Sequence, residues 1–156
     1  MERRDQAGFS LIELMIVVTI IGIIASIAIP NLLASRRAAN ESSAQQSLRT
    51  ISSCEVTYLH TEGMGSYTDL PGLGAKTLTD SLLSGGSKSG YTFVVNSVAG
   101  TTAQYWAYAV PVTTSGMGQT GTRRFGITED GVLRSDTTLS APADEAAVKA
   151  MNPLGN

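Results

Sequence analysis

From Phe9 to Ile29 the chain is an apolar run that carries a single charged side chain, Glu13. At 1.5 Å rise per residue, a helix of about 20 such residues covers the roughly 30 Å hydrocarbon core of a bilayer. A carboxylate inside such a segment costs on the order of a few kcal/mol and marks a functional site with a partner to find. The remainder of the 156 residues leaves room for one further domain and no more. The formal net charge of −2 gives no electrostatic reason to expect nucleic acid as a partner.

Gly8-Phe9-Ser10-Leu11-Ile12-Glu13, followed by the apolar stretch to Pro30, resembles the N-terminus of type IV pilin precursors and the related pseudopilins of type II secretion systems. The likeness covers about Gly8 to Arg37. It implies that a prepilin peptidase cuts between Gly8 and Phe9 on the cytoplasmic side and N-methylates Phe9. The amine so created becomes the partner that Glu13 lacks, supplied by a neighbouring subunit during assembly. Three features depart from the family pattern. Ser10 stands where threonine is usual, Ala7 precedes the glycine where a basic residue is common, and the lone Cys54 excludes an intrachain disulfide in the C-terminal loop. Arg3 and Arg4 on one side of the run are balanced by Arg36 and Arg37 on the other, so orientation rests on the resemblance.

Residues 1–8 are therefore expected to be a leader, outside the mature fold. Two other readings stay open: a secretory signal cut near Ser26-Ile27-Ala28, and an uncleaved anchor. Residues 9–30 form the hydrophobic transmembrane and filament-core helix, and 31–62 its amphipathic second half. Gly22 and Pro30 weaken the first part, proline by about 3 kcal/mol and glycine by up to about 1 kcal/mol, which predicts a bend or local melting between them. Beyond Arg37, Ala44, Leu48, Ile51 and Tyr58 share one helical stripe, with Val56 and Leu59 beside it. Cys54 reads as a small core residue and His60 as a last-turn cation. Gly63 sits where a C-cap is expected.

Residues 63–156 complete the globular part. A connecting loop with one helical turn near Leu78–Leu83 leads into alternating strands, Tyr91–Asn96 and Gln104–Val110, joined by Ala99-Gly100-Thr101-Thr102. Arg123–Thr128 and Val132–Ser135 follow, joined by Glu129-Asp130-Gly131. A short helix over Asp144–Met151 precedes Pro153. Such a sheet needs one face covered, and the amphipathic half of the long helix is the surface available. The fold class is α+β: a long N-terminal helix, transmembrane in its first half and amphipathic in its second, packed on a small antiparallel sheet of about four strands.

No catalytic constellation is present, and no enzyme activity is expected. The one histidine and one cysteine are six residues apart on a helix, which places them out of hydrogen-bond register. Arg123, Arg124 and Arg134 are read as solvated strand-face charges or subunit-contact salt bridges, with an anion-binding patch as the alternative. No cofactor or metal is expected. A calcium ion involving Asp136 and Asp144 is the weaker alternative, because calcium takes six to eight oxygens and this spacing is no recognisable loop. The resemblance implies a structural pilus subunit, first in the inner membrane and then in an extracellular filament of identical copies. Its partners would be the prepilin peptidase and the inner-membrane assembly machinery. A periplasmic type II secretion pseudopilin is the alternative, and a membrane-anchored or secreted binding domain the reading from another class.

Overall fold

The computed structural model describes residues 9–98 and 103–154. The expected leader, with Gly8, and the expected 99–102 connection lie outside the described residues. The chain divides into two compact units, Met1–Ser35 and Arg36–Asn156.

Helix α1 runs from Leu11 to His60 and supplies both units. It begins two residues after Phe9 and remains helical through Gly22 and Pro30. Near its N-terminus the most apolar 18-residue window is 0% buried among the described residues. Side-chain oxygens and amides in this stretch turn back on the helix. Thr19 Oγ1 donates to Met15 O, Ser26 Oγ to Ile23 O, and Asn31 Nδ2 to Ile27 O. Such local bonds satisfy these polar groups within the helix itself.

In the second unit the remainder of α1 lies on one face of a six-stranded antiparallel sheet, ordered β1 to β6 in sequence. The strands are β1 (Ser87–Lys88), β2 (Tyr91–Val98), β3 (Gln104–Pro111), β4 (Arg124–Thr128), β5 (Arg134–Asp136) and β6 (Asn152–Pro153). Four strands correspond to the expected ones; β1 and β6 are two-residue edges too short to show a period. Ala44, Leu48 and Ile51 of α1 meet Tyr91, Phe93 and Val95 of β2, Tyr105, Ala107 and Ala109 of β3, and Phe125 and Ile127 of β4 in one core. The alternation along β3 therefore runs with Tyr105 inward, while Trp106 and Tyr108 stack on the other face, ring centroids 5.5 Å apart. Helix α4 (Glu145–Lys149) covers that other face: a Cβ on Gly126 would stand 2.6 Å from Val148 Cγ1.

Two short helices fill the connection after α1: α2 (Leu70–Ala75) and α3 (Ser81–Ser84). Asp69, Asp80 and Asp144 cap α2, α3 and α4, each accepting a backbone N–H three residues on at 2.8 Å. The end of α1 differs from expectation. The left-handed residues are Met64 (φ 45°) and Gly65 (φ 88°), not Gly63. Gly63 is needed for closeness instead, since a Cβ there would strike Ser66 O and the Tyr58 ring. Val56, placed beside the buried stripe by its spacing, is 45% exposed. The turn at Asp130-Gly131 forms as its sequence dictates, with Gly131 at φ 71° and its N–H donating to Thr128 O.

Candidate assembly site and its supports

Phe9 and Ser10 precede the first turn of α1, and Ser10 is its N-cap. Glu13 N–H donates to Ser10 Oγ at 3.3 Å, and Ser10 N–H donates to Glu13 Oε2 at 2.8 Å. This reciprocal pair is a capping box, which satisfies two of the four backbone donors that a helix start leaves without partners. Ser-x-x-Glu before an apolar run is the sequence signal for it, and the role of Ser10 was legible there. Glu13 Oε1 has no hydrogen-bond partner among the described residues, and Phe9 is 88% exposed. Gly22, in the same helix, has nothing within 4 Å of where a Cβ would stand. Packing among the described residues does not require glycine at that position.

In the second unit, two carboxylates lie on the buried stripe of α1: Glu41 and Glu55, in step with Ala44, Leu48 and Ile51. Their spacing, read with the apolar positions, was the available signal. Glu41 ties α1 to the segment entering β4. Its Oε1 accepts Thr122 N–H and Thr122 Oγ1–H, both at 2.7 Å, and its Oε2 accepts Arg123 Nε (3.0 Å) and Nη2 (2.8 Å). Burial opposes the charge, but the Thr122 and Arg123 hydrogen bonds together outweigh it and hold the carboxyl below its ordinary value. Arg123 also lies over the Phe125 ring, 5.4 Å from its centroid.

Glu55 is fully buried and less well served. Thr68 N–H donates to Oε2 at 3.1 Å, while Oε1 and the nearby Tyr105 hydroxyl have no partner among the described residues. Tyr67 packs on Tyr105 at 4.7 Å between centroids. Burial drives the Glu55 carboxyl up to about 7; the Thr68 bond opposes this and the charge of Asp69 adds to it. Burial, reinforced by Glu55, also raises the Cys54 thiol, whose Sγ lies 2.9 Å from Leu78 O. Cys54 is thus a poor thiolate, consistent with a packing role.

The three strand arginines are engaged in ion pairs: Arg123 with Glu41, Arg124 with Asp136 at 2.7 Å, and Arg134 with Asp130 at 2.5 Å. All three pairs lie within the chain, where solvated charges or salt bridges between subunits were expected. The Arg134 contact comes first among the causes that bring Asp130 down to about 2. Asp136 also accepts Thr138 N–H, and Asp144 is occupied as a helix cap. No group of three or more His, Cys, Asp or Glu gathers among the described residues.

With this geometry in place, the comparisons bear on the N-terminal segment alone. Residues 3–29 match the family model described as the prokaryotic N-terminal methylation motif. The chain carries a prepilin-type N-terminus. The type IV wide pilus major component PilA4 of Thermus thermophilus is 58% identical over 38 residues, 24% of this chain and 29% of the relative. The type II secretion system core protein G of Aeromonas hydrophila is 43% identical over 44 residues, 28% of this chain and 31% of the relative. The type IV major pilin protein PilA of Myxococcus xanthus is 45% identical over 51 residues, 33% of this chain and 23% of the relative. The chain thus spans less than a third of the length of these relatives. No solved structure gives a significant match. Prepilin-type resemblance and an α+β fold with a long N-terminal helix together support a type IV pilin or a type II secretion pseudopilin, and do not separate the two.

Proposed function

We propose that this chain is a structural subunit of a type IV pilus, made as an inner-membrane precursor and assembled into an extracellular helical filament of many copies. The observation that carries the proposal is the prepilin-type segment itself, with Glu13 at the start of an α1 whose most apolar 18-residue window is 0% buried among the described residues. Prepilin peptidase cuts between Gly8 and Phe9 and methylates the new amine of Phe9. Because α1 starts at Leu11, under a cap made by Ser10, cutting at that bond leaves the helix start intact. Glu13 Oε1 then receives the ammonium of a neighbouring Phe9. In hydrocarbon, apolar helices gain little from one another, so a specific polar contact fixes register between copies. The inner-membrane assembly machinery extracts the subunit, and Gly22 and Pro30 let this stretch of helix yield as it packs. The chain acts by packing, with no catalytic step of its own and no cofactor.

Electron microscopy of the source cells, with and without the gene, tests this reading: surface filaments that vanish on deletion and return with the wild-type gene are expected. The second reading, a periplasmic type II secretion pseudopilus, draws on the relatives named core protein G. It predicts that deletion leaves surface filaments untouched and stops export of secreted proteins.

A further inference from the structure

Of the two buried carboxylates on α1, Glu41 is met by Arg123, while Glu55 has no cation beside it among the described residues. The titratable groups around Glu55 come from α1, from the connection after it and from the sheet. Cys54 is its neighbour on α1, Tyr67 and Asp69 lie in the connection, and Tyr105 is on β3. Glu129, just past β4, acts on both tyrosines and is paired with Lys149. Burial raises the Cys54 thiol and both tyrosines, which keeps them neutral near pH 7. These surroundings are neutral or acidic and offset no charge on Glu55. Once ionised there, the carboxylate keeps one hydrogen bond, from Thr68 N–H at 3.1 Å, and nothing on Oε1. A buried charge served so poorly favours any rearrangement that brings water to it.

Residues 61–69 are the part that can move to do so. The Tyr105 ring belongs to the core, and so do Leu70 and Leu73 of α2, which anchor the far end of the connection. The connection itself is fastened lightly. Thr68 N–H on Glu55 and the Tyr67 ring on Tyr105 hold its second half. Its first half turns through Met64 (φ 45°), which is 97% exposed, and Gly65 (φ 88°), which has nothing within 4 Å of where a Cβ would stand. Met64 is held in a left-handed conformation whose strain opening relieves. We propose that residues 61–69 form a pH-operated strap, which closes over Glu55 while the carboxyl holds its proton and lifts to hydrate it once the proton leaves. The Thr68 bond that fastens the strap is made to the very group that releases it. In the lifted form Glu55 returns to its ordinary 4.5, whereas in the closed form it stands at about 7. Closure is therefore strongest below pH 4.5 and weakens as pH rises towards 7. Lifting uncovers the Tyr105 ring, so the surface of the second unit differs between acid and neutral surroundings.

Hydrogen exchange of the full chain in detergent, read residue by residue and corrected for the intrinsic pH dependence of amide exchange, tests the strap. The N–H groups of Gly65, Ser66 and Thr68 are bonded in the closed form, to Leu59 O, Gly63 O and Glu55 Oε2. Phe125 and Ile127 on β4 report on the core. At pH 5.5 and at pH 8 we expect the strap amides to be protected at least about tenfold less than those of β4, the mark of an opening that leaves the sheet folded. From pH 5.5 to pH 8 their protection should fall more than about tenfold. Glu55→Gln should abolish that fall, and so should Glu55→Met, which cannot ionise either. Equal protection in the strap and in β4 would show that only the whole unit opens, and would overturn the strap. Strap protection that does not change with pH, or a fall that survives in both variants, would overturn the role given to Glu55.

Discussion

Ser10 and Glu13 hold each other at the mouth of α1: Ser10 N–H donates to Glu13 Oε2 at 2.8 Å, and Glu13 N–H donates to Ser10 Oγ at 3.3 Å. The carboxylate therefore has two duties that substitution can separate. Glu13→Gln keeps an acceptor for Ser10 N–H, since Gln serves in a capping box as Glu does, and loses only the charge. Glu13→Val loses both. If the ionic contact drives assembly, both variants should be processed normally yet yield about tenfold fewer filaments or less, because a lost charge contact in hydrocarbon exceeds about 1.4 kcal/mol. Shear-released filament protein, assayed by immunoblot, reads the outcome. Normal filaments from Glu13→Gln would leave the cap as the only role of Glu13.

The Glu41 clamp should be the costliest polar contact to break in the second unit. Glu41→Ala strands Thr122 N–H and its hydroxyl and frees a partly exposed Arg123, for a loss of about 2–3 kcal/mol. Because the folded carboxyl titrates below its ordinary value, the stability it contributes is present above pH 4.5 and fades as pH falls through its folded pKa. Thermal unfolding of the detergent-solubilised chain, followed by near-ultraviolet circular dichroism, measures both effects.

Glu55 has the opposite sign. Its folded pKa, about 7, lies above the ordinary 4.5, so the folded chain holds a proton that the unfolded chain releases. The stabilisation is complete below pH 4.5 and is lost as pH rises towards 7, on the order of 3 kcal/mol in all. Glu55→Gln keeps an acceptor for Thr68 N–H and should flatten this loss, making the variant more stable than wild type at pH 8. A variant as pH-sensitive as wild type between 5 and 8 would exonerate Glu55.

Gly121 is held by closeness and not by backbone angle. A Cβ there would land on the Tyr91 hydroxyl, which donates to Arg123 O at 2.9 Å from a fully buried ring. Gly121→Ala should cost about 1–3 kcal/mol by overpacking, and the same unfolding measurement would show it. Gly116→Ala, in open space but at positive φ, should cost about 1 kcal/mol through strain alone.

Much of this was legible in the sequence, for identifiable reasons. Period-two alternation placed β2 and β3, and Asp130-Gly131 placed the turn into β5, because those signals are local. The two-residue strands β1 and β6 carry no period and form only where a neighbour offers an edge. Glu41 and Glu55 escaped notice because charge argues against burial, and their partners Thr122 and Thr68 come from distant chain. Asp69 and Asp80 cap helices of only six and four residues, too short to show a period in the sequence. At the N-terminus the motif was plain, while the duty of Ser10 as the cap lay in the same six residues.

The account stands or falls on where the mature chain begins. Mass spectrometry of the polypeptide taken from filaments or from the membrane of the source cells should find Phe9 first, bearing one added methyl group on its amine. A chain in assembled fibres that still carries Gly8, or begins after Ala28, has no Phe9 ammonium for Glu13 to meet, and would contradict it.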